Sequence, residues 1–175
     1  MHKYLNNKCP SFKGTSFFLS VGLLLLGLAG CANTATQGPS DAIVIAQTLD
    51  SLHERAAAAD FDGYFDLYAK NAVFMGTDRA EYWPLADFRA YTQPHFSKGN
   101  GWTYVPTERH LHVNDSTAWF EERLQNEKYG EVRGTGVLVR TTTGWKVAQY
   151  NLTLPLPNEL FGEIAREVID YYAED

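Results

Sequence analysis

The stretch Thr117-Ala118-Trp119-Phe120-Glu121-Glu122-Arg123-Leu124-Gln125 alternates with period two. Ala118, Phe120, Glu122 and Leu124 fall on one face, and Thr117, Trp119, Glu121 and Arg123 on the other, as in a strand that buries one side. The same period governs residues 102–113, 132–140 and 145–154, so four consecutive strands are expected. Asn114-Asp115 and Thr143-Gly144 supply turn chemistry between the outer pairs, and Lys128-Tyr129-Gly130 sits in the middle connection. Before Gly99 the apolar period is about 3.6. Ser40-Asp41 opens a helix carrying Ile45, Leu49, Leu52 and Ala56 on one stripe. Asp60 caps a second, short helix whose Phe61, Phe65 and Tyr68 share a side. Ala72 to Met75 reads as a buried strand, and Pro84 begins a third helix with Leu85, Phe88 and Tyr91 behind it. Asn158 caps a terminal helix bearing Phe161, Ile164, Val168 and Tyr172. Helices first and a meander afterwards make an α+β chain.

The order helix, helix, Ala72-Val73-Phe74, helix and meander resembles the nuclear transport factor two superfamily, and within it the SnoaL-like branch. The local sequences that carry the likeness are Phe74-Met75-Gly76-Thr77-Asp78, Phe96 to Trp102, Ala118-Trp119-Phe120, Arg133-Gly134-Thr135-Gly136 and Trp145 through Pro157. It spans residues 41–157. The resemblance implies a cone-shaped, curved antiparallel sheet wrapped by the N-terminal helices, here with an added C-terminal helix over residues 158–175. It also implies a small apolar or amphipathic ligand held inside the cone, and a homodimer formed through the outer sheet face. Relatives of that kind include isomerases, dehydratases, hydrolases and cyclases as well as proteins without known activity.

The strand pattern itself selects the polar groups that face inward. Glu122 lies between apolar neighbours on its strand, and Arg109 shares a face with Val105, Leu111 and Val113. A two-residue turn at Asn114-Asp115 sets Arg109 against Phe120, so that Glu122 is diagonal to it. A turn over residues 127–130 turns Arg133, Thr135 and Val137 inward on the other side. The expectation is therefore a cluster of Arg109, Glu122 and Arg133. Two readings stand: the arginines neutralise a buried carboxylate, or the surplus positive charge holds a ligand carboxylate or enolate. Two arginines lower the pKa of a neighbouring carboxyl, which disfavours Glu122 as a general base. In the last strand a three-residue turn ending at Gly144 delivers Trp145, Val147, Gln149 and Asn151 to the pocket face. A two-residue turn delivers Ala148, Tyr150, Leu152 and Leu154 instead. Tyr82, Trp83, Trp102 and Tyr104 are candidates for the rim of the mouth.

His110-x-His112 with Glu108 invites a metal reading, but these residues occupy the face opposite the inferred interior and lack further ligands, so no metal is expected. His53 and His95 read as surface or packing residues. No Gly-rich phosphate loop, nucleophile elbow or paired-cysteine site is present in the sequence, and no cofactor is expected. The Tyr-plus-Asp pair of the superfamily's steroid isomerases has no residue-by-residue match.

At the N-terminus, Lys3, Lys8 and Lys13 precede an apolar run from Phe17 to Gly30. That basic-then-apolar order is a secretory signal, and roughly 14 residues fall short of the about 20 that span a bilayer. The run ends in Leu28-Ala29-Gly30-Cys31, which resembles the bacterial lipobox, so residues 1–30 are expected to be removed and Cys31 to carry lipid. Residues 31–40 are small and polar, the composition of a tether. Ala32 after the cysteine resembles lipoproteins sorted to the outer membrane, which places the chain on the periplasmic face of that membrane in a Gram-negative cell. Cleavage takes Cys9 and three of fifteen basic residues, leaving 12 against 21 acidic ones, a net charge of −9. Such a balance argues against nucleic acid and against adhesion to anionic headgroups, so acyl chains supply the membrane contact. The sequence thus suggests a lipid-anchored, non-catalytic binding module. The alternatives are a lyase or isomerase using Glu122 or Asp78, and a dimerisation platform in an envelope complex.

Overall fold

The computed structural model describes residues 40–173, so the expected signal, Cys31 and the tether through Pro39 lie outside the described residues. The element order is α1 (Asp41–Ala57), α2 (Phe61–Asp66), β1 (Tyr68–Met75), β2 (Tyr82–Pro84), α3 (Leu85–Phe96), β3 (Val105–Asn114), β4 (Thr117–Asn126), β5 (Gly130–Thr141), β6 (Gly144–Thr153) and α4 (Asn158–Ala173). The six strands form one sheet in the order β2-β1-β6-β5-β4-β3. The strands β3 to β6 lie within a few residues of the expected segments, whereas β1 begins at Tyr68, a residue expected on the second helix, which ends at Asp66; the short β2 has too few residues to show a period. The meander is antiparallel, but β1 joins β6 in parallel, so the sheet is mixed.

The helices form where the stripes predict. Ile45, Leu49, Leu52 and Ala56 are all buried and turn α1 toward the concave face. Ser40 takes the N-cap position without a side-chain cap bond; Asp41 instead binds Arg140 and accepts from Trp145 Nε1 at 3.2 Å, tying the helix start to the far end of the meander. Asp60 caps α2 by accepting from the Gly63 amide at 3.1 Å. Tyr64 and Phe65 of α2, Tyr68 of β1 and Phe88 and Phe96 of α3 build an aromatic core, with Phe88 stacked on Phe74 at 4.2 Å.

Curvature enters through extra residues. Thr107 interrupts the β3–β4 register and Ala148 that of β5–β6, and such bulges bend and twist a strand. The buried row of the meander is Ala118, Phe120, Glu122 and Leu124 in β4, Val132, Gly134, Gly136 and Leu138 in β5, and Trp145, Val147, Tyr150 and Leu152 in β6. Among the described residues, no helix is long and apolar enough to cross a membrane. No residue of α4 is buried; its Tyr172 hydroxyl donates to Asp78 Oδ2 at 3.1 Å, and Arg79 lies over the Tyr172 ring.

Candidate functional site

Two features occupy the concave side, a buried ionic network and an aromatic cavity. The network centres on Glu122, whose side chain is fully buried. The β3–β4 turn is Asp115-Ser116, one position later than expected, which sets Arg109 directly opposite Glu122 rather than diagonal to it. Because the slip totals two residues across the pair, both stay on the inner face. Arg109 Nε donates to Glu122 Oε2 at 2.8 Å, and its Nη1 donates to Asp50 Oδ1 at 2.8 Å and to the Ala46 carbonyl at 3.2 Å. The other carboxylate oxygen is 2.7 Å from His53 Nε2 and accepts from the Tyr150 hydroxyl at 2.8 Å.

Burial pulls the Glu122 carboxyl upward, but hydrogen bonds and charge from His53 and Arg109 outweigh it, and the group titrates below its ordinary value of 4.5. The Tyr150 phenol is held well above its ordinary range by burial and then by the Glu122 charge, so it remains a donor. Burial alone favours loss of the Arg109 proton, yet Glu122 and Asp50 raise its pKa. The buried carboxylate is therefore ionised and held by three donors, while Arg109 Nη2 is buried without a hydrogen-bond partner among the described residues.

Arg133 does not belong to it. Asn126 pairs with Gly130 across a three-residue turn, one residue shorter than expected, and Arg133 moves to the outer face opposite Arg123. A one-residue change of this kind exchanges the faces of a whole strand. The turn is recognisable in retrospect, since Asn126 Oδ1 accepts from the Lys128 and Tyr129 amides and Gly130 adopts φ 72°, a left-handed value suited to glycine. Gln149 and Asn151 are also displaced from the inner row. Thr141 pairs with Gly144 across a two-residue turn, and the bulge at Ala148 then passes the row from Val147 to Tyr150 and Leu152. Both alternatives from the sequence are thus realised in part, one on each side of the bulge.

The cavity has a volume of about 400 Å3. Trp83 and Trp102 line it, as does Tyr104, whereas Tyr82 is 62% exposed outside it. Phe74, Phe88, Tyr91, Tyr129, Val132, Leu152 and Leu154 complete its apolar wall, with Gly76, Thr77 and Glu81 on one side. Neither Arg109 nor Glu122 is among the lining residues. A smaller pocket of about 30 Å3 shares Phe74, Trp102, Tyr104 and Leu152 with the cavity and has His53 and Tyr150 in its wall. Sequence reasoning missed His53, although it extends the α1 stripe at position i+4 from Leu49 and was legible there. Glu81 gave no such signal, because loop folding brings it to the cavity.

Asp78 is exposed and engaged with the Ala80 amide and Tyr172, outside the cavity wall. His110 pairs with Glu108 at 3.1 Å and His112 stacks on Trp119. Among the described residues, no group of three or more His, Cys, Asp or Glu side chains is arranged to hold a metal ion.

A family model described as the SnoaL-like domain matches residues 45–157. Three solved structures illustrate the likeness of fold. One is an NTF2-like protein of unknown function from Pseudomonas putida, 17% identical, covering 70% of this chain and 93% of that one at a TM-score of 0.56. An NTF2-like protein from Cytophaga hutchinsonii is 15% identical over 67% of this chain and all of its own, also at 0.56. A protein of the NTF2-like family from Streptomyces avermitilis, named provisionally as a dehydratase, is 16% identical over 67% and 97% at 0.56. No curated protein matches by sequence.

Proposed function

The chain belongs to the SnoaL-like domain family, and from that membership and its cavity we propose a lipid-anchored envelope protein whose cone binds a small amphipathic molecule without converting it. The observation that carries the reading is the separation of the two features on the concave side. The cavity of about 400 Å3 is walled mostly by aromatic and aliphatic side chains, the size and character of small-molecule sites. The buried Arg109–Glu122 pair is not part of that wall, and the carboxylate is engaged by Arg109, His53 and Tyr150. An ionised Glu122 with three donors is a poor proton acceptor. Anchoring rests on the run ending in Leu28-Ala29-Gly30-Cys31, with residues 31–40 as the tether, and the acidic balance leaves the acyl chains as the membrane contact.

A second reading has one observation in its favour. His53 lies in the wall of the smaller pocket with Glu122 on its Nε2, the relation of a general base to the carboxylate that orients it. A similar fold bears the provisional name of dehydratase, which is fold-level analogy alone.

Native mass spectrometry of the detergent-extracted protein tests the proposal. The expected spectrum contains a diacylated chain with a further small molecule bound. Cys31→Ser is expected to lose the acyl mass and membrane retention. A Cys31→Ser chain that still fractionates with membranes contradicts the anchor, and a turnover product in place of an intact ligand favours the His53 reading.

A further inference from the structure

The cavity wall has an uneven chemistry. Seven of its thirteen residues are aromatic, and its one charged member is acidic, Glu81. Glu81 reaches the wall because the loop after β1 folds back on itself: the Gly76 amide donates to the Glu81 carbonyl at 3.0 Å, and the Glu81 amide to the Asp78 carbonyl at 3.0 Å. Gly76 leaves room for the Glu81 carboxylate in this position, since a Cβ there would lie 2.0 Å from Glu81 Oε2. That oxygen accepts one backbone bond, from the Asp78 amide at 3.2 Å. Glu81 Oε1 has no hydrogen-bond partner and Glu81 no ion pair among the described residues.

The aromatic neighbours present faces as well as bulk. Trp83 stacks on Tyr91 at 5.1 Å, and Trp102 packs on Phe96 at 4.7 Å. The Tyr104 phenol titrates above its ordinary range, through burial first and then the proximity of Tyr129 and Glu81. A carboxylate that shares a cavity wall with indole and phenol rings makes an environment that attracts a cation through ring quadrupoles and charge together. The Tyr129 ring already holds the Lys128 ammonium, 4.8 Å from its centroid, so Glu81, Trp83, Trp102 and Tyr104 are the groups left for a ligand.

We infer that the cavity selects a positively charged ligand, an amphipathic amine or quaternary ammonium whose head lies against Glu81 and the indoles while its apolar part fills the space toward Phe74 and Leu152. The inference rests on the ligand-binding reading above and adds the sign of the charge. The negative balance of the mature chain raises the local concentration of such a molecule. An anionic ligand meets no basic residue in the wall.

Three isosteric probes separate the possibilities: phenyltrimethylammonium, neutral tert-butylbenzene and anionic benzenesulfonate, each titrated into the full-length protein and followed by tryptophan emission, to which Trp83 and Trp102 contribute. The ammonium is expected to bind at least about tenfold more tightly than its neutral isostere, and the sulfonate more weakly than either. In Glu81→Gln the ratio of ammonium to neutral affinity is expected to fall below about fivefold, the share that aromatic faces supply at a solvent-accessible site. Thr77→Lys, an exposed substitution in the same wall, lowers that ratio independently of how Glu81→Gln folds. Equal binding of ammonium and neutral probes, or tighter binding of the sulfonate, overturns the inference and leaves the binding reading intact. Failure of all three to bind overturns both.

Discussion

Glu122 is the residue on which the inner face of the sheet is built, because a carboxylate with no exposure survives folding only if its charge is answered. Arg109, His53 and Tyr150 answer it at 2.7–2.8 Å. Removing one partner of such a pair costs about 3–5 kcal/mol, and removing both costs less than the sum because no orphaned charge remains. Urea melts of Arg109→Met, Glu122→Gln and the double variant are expected to show that non-additivity. Additive losses below about 1 kcal/mol each describe an exposed pair and contradict the buried network. The pH dependence follows from the same group. Folded Glu122 gives up its proton more readily than an ordinary carboxyl at 4.5, so the unfolded chain binds more protons as the pH falls. The stability it contributes is therefore complete above about pH 5 and drains as pH falls through 4.5 toward the folded value. Glu122→Gln is expected to lose less stability than the wild type as the pH falls below about 4.5, and equal slopes for the two proteins contradict this assignment. Glu122 was legible in the sequence as a charge among apolar neighbours, and Arg109 as its partner. Glu81 was not, since its place depends on a glycine five residues away and on a wall assembled from distant elements.

At the scale of elements, turn length decides which side chains meet. Strand periodicity located β3 to β6 within a few residues, but each hairpin left a choice of one residue; shifting the β3–β4 turn by one position keeps the faces, whereas shortening the β4–β5 turn by one residue exchanges them. A four-residue β4–β5 turn faces Arg133 inward, but the amide-capping Asn126 with left-handed Gly130 fixes a turn one residue shorter. The true inward row of β5 contains Gly134 and Gly136, and their lack of side chains makes room for the network. A Cβ on Gly134 would lie 2.2 Å from the Tyr150 hydroxyl and 3.1 Å from Glu122 Cγ; one on Gly136 would lie 2.8 Å from the Phe120 ring. Gly134→Ala is accordingly expected to push Tyr150 off the carboxylate and to destabilise the fold by about 1–3 kcal/mol. Arg133→Ala, on the outer face, is expected to stay within about 0.5 kcal/mol of wild type. Chemical denaturation of the two variants checks both, and a Gly134→Ala protein as stable as wild type contradicts the register. The parallel β1–β6 pairing was not visible in the sequence, because it joins segments about 75 residues apart without a local turn signal.

In the whole domain, the buried ionic network and the open aromatic cavity divide the work of the cone. The network ties α1 to β3, β4 and β6 through Asp50, His53, Arg109, Glu122 and Tyr150, and so holds the curved sheet against its covering helix. The cavity is left to Trp83, Trp102, Tyr104 and their neighbours, on the side where β2 and α3 meet the meander. The α+β class was readable from the change of period at Gly99 and the cone only through the family resemblance, while of the four aromatic rim candidates Trp83, Trp102 and Tyr104 line the cavity and Tyr82 does not. The separation of the Arg109–Glu122 network from the cavity was not readable, since it depends on registers that differ by single residues. That separation is what favours binding over catalysis, so occupancy of the cavity is the central claim. Leu154 lines the cavity and is 47% exposed, so Leu154→Trp fills the space while leaving the core alone. Titration of the apolar dye N-phenyl-1-naphthylamine into the wild type and into Leu154→Trp, in the same buffer, isolates the cavity from any binding elsewhere on the protein. Saturable binding in the wild type, weakened at least about tenfold in Leu154→Trp, a loss of about 1.4 kcal/mol, is the predicted result, and either no saturable binding in the wild type or equal affinity in the two proteins contradicts it.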